Sequence, residues 1–134
     1  MNSEEFDSPD FRYEGTDLKI ITRSENHPDL PDDGAIVDIK GDLNLYSTPH
    51  LKNILGKLVE VGKNKIFINT AELNYIDSSG LGAFLNIQSK LMKTNGFIRI
   101  CAPTRQVTSI LELTKLKTML RVSRTLEDGL KGKL

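Results

Sequence analysis

Apolar positions along this chain follow two rhythms. Short runs rich in β-branched residues occur at 16–23 (TDLKIITR), 35–40 (AIVDIK), 65–70 (KIFINT) and 97–101 (FIRIC), and each predicts a strand. Between them, apolar residues recur every three or four positions. The first such stripe is Leu51, Ile54, Leu55, Leu58 and Val61; the second is Leu81, Phe84, Leu85, Leu91 and Met92, with Gln88 in register; the third is Val107, Ile110, Leu111 and Leu113. That spacing predicts three amphipathic helices with these residues turned inward. Residues 119–122 read as a last short strand and 124–130 as a short terminal helix.

The breaks between the runs agree with this division. Residues 24–34 (SENHPDLPDDG) are dense in Pro, Asp and Gly and predict a surface loop. Gly41 closes the second strand. Ser47-Thr48-Pro49 places a hydroxyl N-cap before a proline in the first helical turn, where the missing N–H costs nothing, and Gly62 is a C-cap candidate. The second helix spans roughly 79–94 and stops at Asn95-Gly96; Pro103-Thr104 opens the third. Helices alternating with short strands imply parallel crossover units, and the first two strands, joined by a loop, pair as a hairpin. The expected fold is one α/β domain, a mixed central β-sheet with helices mainly on one face.

Composition refines this only in places. The chain has 134 residues, 38% of them hydrophobic and 27% charged, which suits one globular domain. One cysteine, Cys101, excludes an internal disulfide and a Cys-based zinc site, and two lone histidines, His27 and His50, offer no metal centre. No cofactor or metal is expected. No apolar run approaches the roughly 18 residues of a membrane helix, and the acidic first ten residues are unlike a signal peptide. A cytoplasmic protein with no membrane partner is expected.

Formal net charge is zero, which argues against direct nucleic-acid binding. The charge is nevertheless divided: residues 1–33 carry ten acids against three bases, a net −7, and the remainder carries +7. Residues 1–14 hold few apolar side chains (Phe6, Phe11, Tyr13) and are expected to form an acidic, mobile leader. Residues 15–134 are expected to form the domain.

Enzyme constellations are missing. The sequence has no G-x-S-x-G elbow, no G-x-x-x-x-G-K-[ST] and no G-x-G-x-x-G. His27 and His50 read as solvated, Cys101 as a small buried hydrophobe, and Asp38 as facing solvent. Asp42 and Asp77 end different strands and can converge at one sheet end, but two acids do not define an enzyme. A binding protein, not an enzyme, is expected.

One segment stands apart: Tyr75-Ile76-Asp77-Ser78-Ser79-Gly80-Leu81-Gly82. Asp, Ser and Ser are all good N-cap types, so this is at least a well-capped helix start. Gly80 and Gly82 in the first turn cost the helix about 1 kcal/mol each relative to Ala. They also strip the turn of side chains, so a partner backbone can approach closely. A helix N-terminus can accommodate a phosphoserine without unfolding.

The segment resembles the signature of bacterial anti-sigma factor antagonists, in the STAS-domain family. Gly41-Asp42-Leu43-Asn44 is similar to the family's strand-end G-[DE]-L-D, Phe67-Ile68-Asn69-Thr70 to its strand before the signature, and Cys101-Ala102-Pro103 with Val107, Ile110 and Leu111 to its last strand and helix. The resemblance implies a compact sheet with helices on one side and a switch driven by phosphorylation. In the family, an anti-sigma factor that is itself a serine kinase phosphorylates the first hydroxyl residue after the signature Asp, which here is Ser78. Unphosphorylated antagonist binds that kinase and frees the sigma factor; a PP2C-type phosphatase restores it. Asp77, Ser79, Gly80, Leu81 and Gly82 form the environment of the phosphosite, and Asp42, Asn44 and Ser47 form a candidate partner surface. Asn44 stands where the family has Asp, and the leader and the 24–34 loop exceed the usual compact domain. Two other readings remain open: a STAS interaction module of a different regulatory, sensory or transport complex, and a small hydrolase with Ser78 as nucleophile, which lacks a neighbouring base.

Overall fold

The computed structural model describes residues 6–24 and 27–132. Five strands form one sheet in the order β1 (Arg12–Glu14), β2 (Leu18–Arg23), β3 (Gly34–Leu43), β4 (Lys65–Ile76) and β5 (Phe97–Cys101). Pairing is antiparallel from β1 to β3 and parallel from β3 to β5. The helices are α1 (Thr48–Glu60), α2 (Ser78–Met92), α3 (Arg105–Leu113) and α4 (Leu126–Leu130). Strand order equals chain order, and successive parallel crossovers of the usual single hand agree with α1 and α2 sharing one cluster on the same face. The mixed sheet with helices mainly on one face is the architecture expected.

Alternation along the strands sorts the core. Ala35, Val37, Ile39, Ile66, Ile68, Ile98 and Ile100 face the helices and join Leu51, Leu55, Leu58, Phe84 and Leu111 in the main cluster. The opposite face carries a smaller cluster, Ile36, Phe67, Cys101 and Leu130, covered by α4. Further along that face Arg23 pairs with Asp38 at 2.6 Å, and Asn69 Nδ2 donates to the same carboxylate at 2.8 Å. Asp38 is therefore half-buried and bonded rather than simply solvated.

Four elements differ from the sequence pattern. Residues 6–14, expected to form a mobile leader, are anchored by their rings although their polar side chains are exposed: Phe6 and Phe11 are 3% and 8% exposed, and their rings meet edge to face at 5.1 Å. Burial of about 1.5–3 kcal/mol for each such side chain outweighs the local acidity, and β1 extends the sheet beside β2. The seam expected at residue 15 thus falls inside the sheet, while residues 1–5 lie outside the described ones. Strand β4 runs six residues past Thr70. Residues 119–121 form a turn and Val122 no strand, because Arg121 takes a left-handed backbone (φ 50°) that breaks an extended run; Leu120 and Ser123 still bond Ile100 at the edge of β5. Finally, Met92, Val61 and Leu113 are exposed rather than inward, Leu113 at 82%, and Leu85 is half-buried. Each sits at the margin of its stripe or at a helix end.

Candidate functional site

The ends of β3 and β4 bring the sequence motifs together. Leu43 pairs with Ile76, and the Asp77 N–H donates to the Leu43 carbonyl at 3.1 Å. The loop after β3 and the start of α2 therefore leave the sheet side by side. At Gly41 (φ 110°) a Cβ would fall 2.1 Å from the Asp17 carbonyl oxygen, so this turn admits glycine alone.

Asn44 and Ser47 build the loop. Asn44 Oδ1 accepts from the N–H of Tyr46 (2.9 Å) and Ser47 (3.0 Å), while Ser47 Oγ accepts from the Asn44 N–H and donates to the Asp42 carbonyl at 2.7 Å. The uncharged amide thus organises the loop through its oxygen, as a carboxylate would. Ser47 is engaged in this loop and does not cap α1 with its side chain. The loop presents Leu45 and Tyr46 to solvent, 66% and 85% exposed, and Tyr75 is exposed on the neighbouring strand. Sequence reasoning missed Leu45 and Tyr46, whose signal was two large apolar residues within a turn; Tyr75 stands at the head of the signature segment.

Asp77 is the N-cap of α2. Its carboxylate accepts from the N–H of Ser79 (2.9 Å) and Gly80 (3.3 Å) and from the Ser79 hydroxyl. The Ser79 hydroxyl bond, opposed by partial burial and aided by backbone N–H groups of Gly80, Ser79 and Leu45, holds the Asp77 carboxyl below its ordinary pKa. Ser78 is the first residue of the helix and is exposed. No hydrogen bond is recorded for its side chain among the described residues. The two adjacent serines are therefore distinct: one hydroxyl is committed to the cap, the other faces solvent.

The two glycines also separate. A Cβ on Gly80 would lie 2.7 Å from Ile76 Cγ1 and 3.2 Å from Leu43 Cβ, whereas at Gly82 it would meet nothing within 4 Å. Gly80 is buried and serves the close packing of α2 on the strand ends; only Gly82 leaves the surface bare. Leu81, 6% exposed, belongs to the core beneath the site.

Two glutamines tie helices to neighbouring backbone, Gln106 at the site and Gln88 farther along α2. Gln106 of α3 accepts from the Ile76 N–H at 3.2 Å, taking the place of a strand partner where β4 outruns β5. Gln88, 2% exposed, accepts from the Ile98 N–H and donates to the Met119 carbonyl. Polar type hid both roles, although Gln88 fell in the helical stripe.

Other reactive side chains lie elsewhere. The His50 ring stacks on Tyr13 at 3.7 Å. His27 Nδ1 accepts from the Asp29 N–H, and its Nε2 lies 3.1 Å from the Glu127 carboxylate. Burial pushes the Cys101 thiol up, against opposing effects of Ser123 and Arg99. No imidazole is bonded to Ser78. Among the described residues, no helix is long and apolar enough to cross a membrane.

The fold is a small mixed α/β sheet domain with α1 to α3 on one face and α4 on the other, and with an Asp-capped serine pair at the end of a parallel strand. Residues 24–129 match the family model for the STAS domain, and the chain belongs to that family. Among curated proteins it is similar to the anti-sigma-B factor antagonist of Staphylococcus epidermidis, 27% identical over 96 residues, covering 72% of this chain and 89% of that one. The anti-sigma-B factor antagonist of Staphylococcus aureus is 28% identical over 91 residues, covering 68% and 84%. Among solved structures, an anti-sigma factor antagonist from Mycobacterium paratuberculosis superposes with a TM-score of 0.71 at 24% identity, covering 84% of this chain and 92% of that one. SpoIIAA in its unphosphorylated form superposes at 0.63 with 19% identity, covering 75% and 90%. These two structures share the fold.

Proposed function

We propose that this chain is a cytoplasmic anti-sigma factor antagonist that works by phosphorylation-controlled partner switching and catalyses nothing itself. The unphosphorylated form binds an anti-sigma factor that is also a serine kinase, and so releases a sigma factor. Phosphate on Ser78 ends the binding, and a PP2C-type phosphatase removes it. No membrane or direct nucleic-acid partner is needed. The observation that carries this reading is the contrast between the exposed, unbonded Ser78 hydroxyl and the Ser79 hydroxyl held by Asp77. Two sequence relatives named anti-sigma-B factor antagonist support it. So does a neighbour of the same fold whose structure was solved in a phosphorylated form.

The chemistry follows from the cap. A phosphoryl group adds about −1.5 to −2 of charge and three acceptor oxygens. The N–H groups of Ser79 and Gly80 are already taken by Asp77, so the phosphate projects outward beside a carboxylate instead of folding into the helix end. The fold is left intact while the surface changes from a neutral hydroxyl to a cluster of negative charge. Leu45, Tyr46 and Tyr75 supply apolar contact, and Asp42, Asn44 and Ser47 hold the loop that presents it. A partner fitted to that surface must desolvate the new charge, at several kcal/mol unless a cation meets it, and each 1.4 kcal/mol is tenfold in affinity.

The test is binding of the kinase by Ser78→Ala and Ser78→Asp variants. Ser78→Ala is expected to bind like the unphosphorylated chain and to resist release by ATP; Ser78→Asp is expected to fold but bind at least about tenfold more weakly. Equal binding by both would contradict the proposal.

A further inference from the structure

Two depressions flank α1 and share Lys52 and Gly56 in their walls. The larger, about 510 Å³, lies between α1 and the packed arm of residues 9–13, with Arg12, His50 and Lys57 in its wall. The smaller, about 130 Å³, lies between α1 and α2 over Leu55, Ala83 and Ile87, with Asn86 and Lys90 at its margin.

Gly56 has no internal reason to be glycine. It lies inside a 13-residue helix, it is exposed, its φ is not positive, and a Cβ there would meet nothing within 4 Å. The helix bears about 1 kcal/mol for it relative to Ala. A longer side chain at this position would raise a ridge between the two depressions; glycine keeps the helix surface between them low, and the two together make up one trough across α1.

The charge of the trough is one-sided. Arg12, Lys52, Lys57 and Lys90 line it against Asp10 and Glu60. Arg12 and Lys57 have acidic neighbours at 3.7 and 3.5 Å, whereas no ion pair is recorded for Lys52 or Lys90 among the described residues. These two lysines stand on either side of the apolar α1–α2 cleft, which has room for about one aliphatic side chain.

We infer that this trough is a second docking surface for the partner, and that it takes an acidic segment of the anti-sigma factor. The segment crosses α1 over Gly56, sets one small apolar side chain into the α1–α2 cleft, and brings carboxylates to Lys52 and Lys90. The inference rests on the function proposed above. It adds a contact remote from Ser78 along α2, one that uses the arm, which lies outside the residues matched by the family model.

The test is calorimetric titration of the purified anti-sigma factor into the full unphosphorylated chain, its Gly56→Gln variant and its Lys52→Glu/Lys90→Glu double variant. Gly56→Gln is expected to raise the thermal midpoint, because it restores helix propensity, and yet to weaken binding at least tenfold. The double variant is expected to weaken binding at least tenfold, with a smaller salt dependence than the wild type. Wild-type binding with both variants within twofold would overturn this inference and leave the proposed function standing. No binding by the wild type would overturn both.

Discussion

The carboxylate of Asp77 and the hydroxyl of Ser79 are bonded to each other across the first turn of α2, and this pairing singles out Ser78. One serine hydroxyl of the helix end is tied into its cap, and the other is exposed; the kinase of the proposed switch would meet them in that state. In the proposed switch, the cap would select the phosphoacceptor without touching it.

Removing that cap should cost stability as well as selectivity. Asp77→Ala is expected to lower the unfolding free energy by about 0.5–2 kcal/mol, read from the urea midpoint at neutral pH. The pH dependence has a definite sign. The folded-state pKa of Asp77 lies below its ordinary value, so its contribution is complete above the unfolded-state pKa and is lost as pH falls through the folded one. The gap between wild type and Asp77→Ala should therefore close in acid, below about pH 4.

The two signature glycines should respond in opposite directions. Gly80→Ala drives a methyl into Ile76 and Leu43 and is expected to destabilise by about 1–3 kcal/mol. Gly82→Ala enters open space and is expected to stabilise by about 0.5–1 kcal/mol. Thermal unfolding of both variants separates the structural glycine from the one that leaves the surface bare.

Much of this arrangement is visible in the sequence, and the exceptions have physical causes. The stripe Leu51, Ile54, Leu55 and Leu58 is wholly buried because α1 packs along its length on one flat sheet face. Leu113 and Met92 fit the same arithmetic but close their helices, where the sheet no longer lies beneath them. The first strand is illegible because three residues (RYE) without alternation form it. Its partner is β2, and its anchors are Phe6 and Phe11, isolated among acids. The residues of the segment mark a capped helix start and the family resemblance points to Ser78; neither gives a way to tell that Gly80 packs inward and Gly82 does not, since that depends on where Leu43 returns from another strand.

The arm should behave as part of the fold. Phe11→Ala removes a ring packed in the main cluster and is expected to cost about 3–5 kcal/mol. Amide protons of β1 at its bonds to β2 should exchange slowly in the wild type and quickly in the variant. Rapid exchange in both would mean that the arm is detached in solution.

Core and margin of α2 should also differ. Phe84, 1% exposed, is expected to cost about 3–5 kcal/mol on change to Ala. Met92, 57% exposed, should cost less than about 0.5 kcal/mol. Denaturant titration of the pair checks the inward face of the helix that carries Ser78.

The most direct measurement is to incubate the unphosphorylated chain with its anti-sigma factor kinase and ATP, map the phosphate by mass spectrometry, and titrate the kinase before and after. One phosphate on Ser78, an unchanged far-ultraviolet spectrum and an affinity lower by about a hundredfold, the equivalent of about 2.8 kcal/mol, are predicted. Phosphate on Ser79 alone, or phosphate on Ser78 with unchanged affinity, would contradict the account.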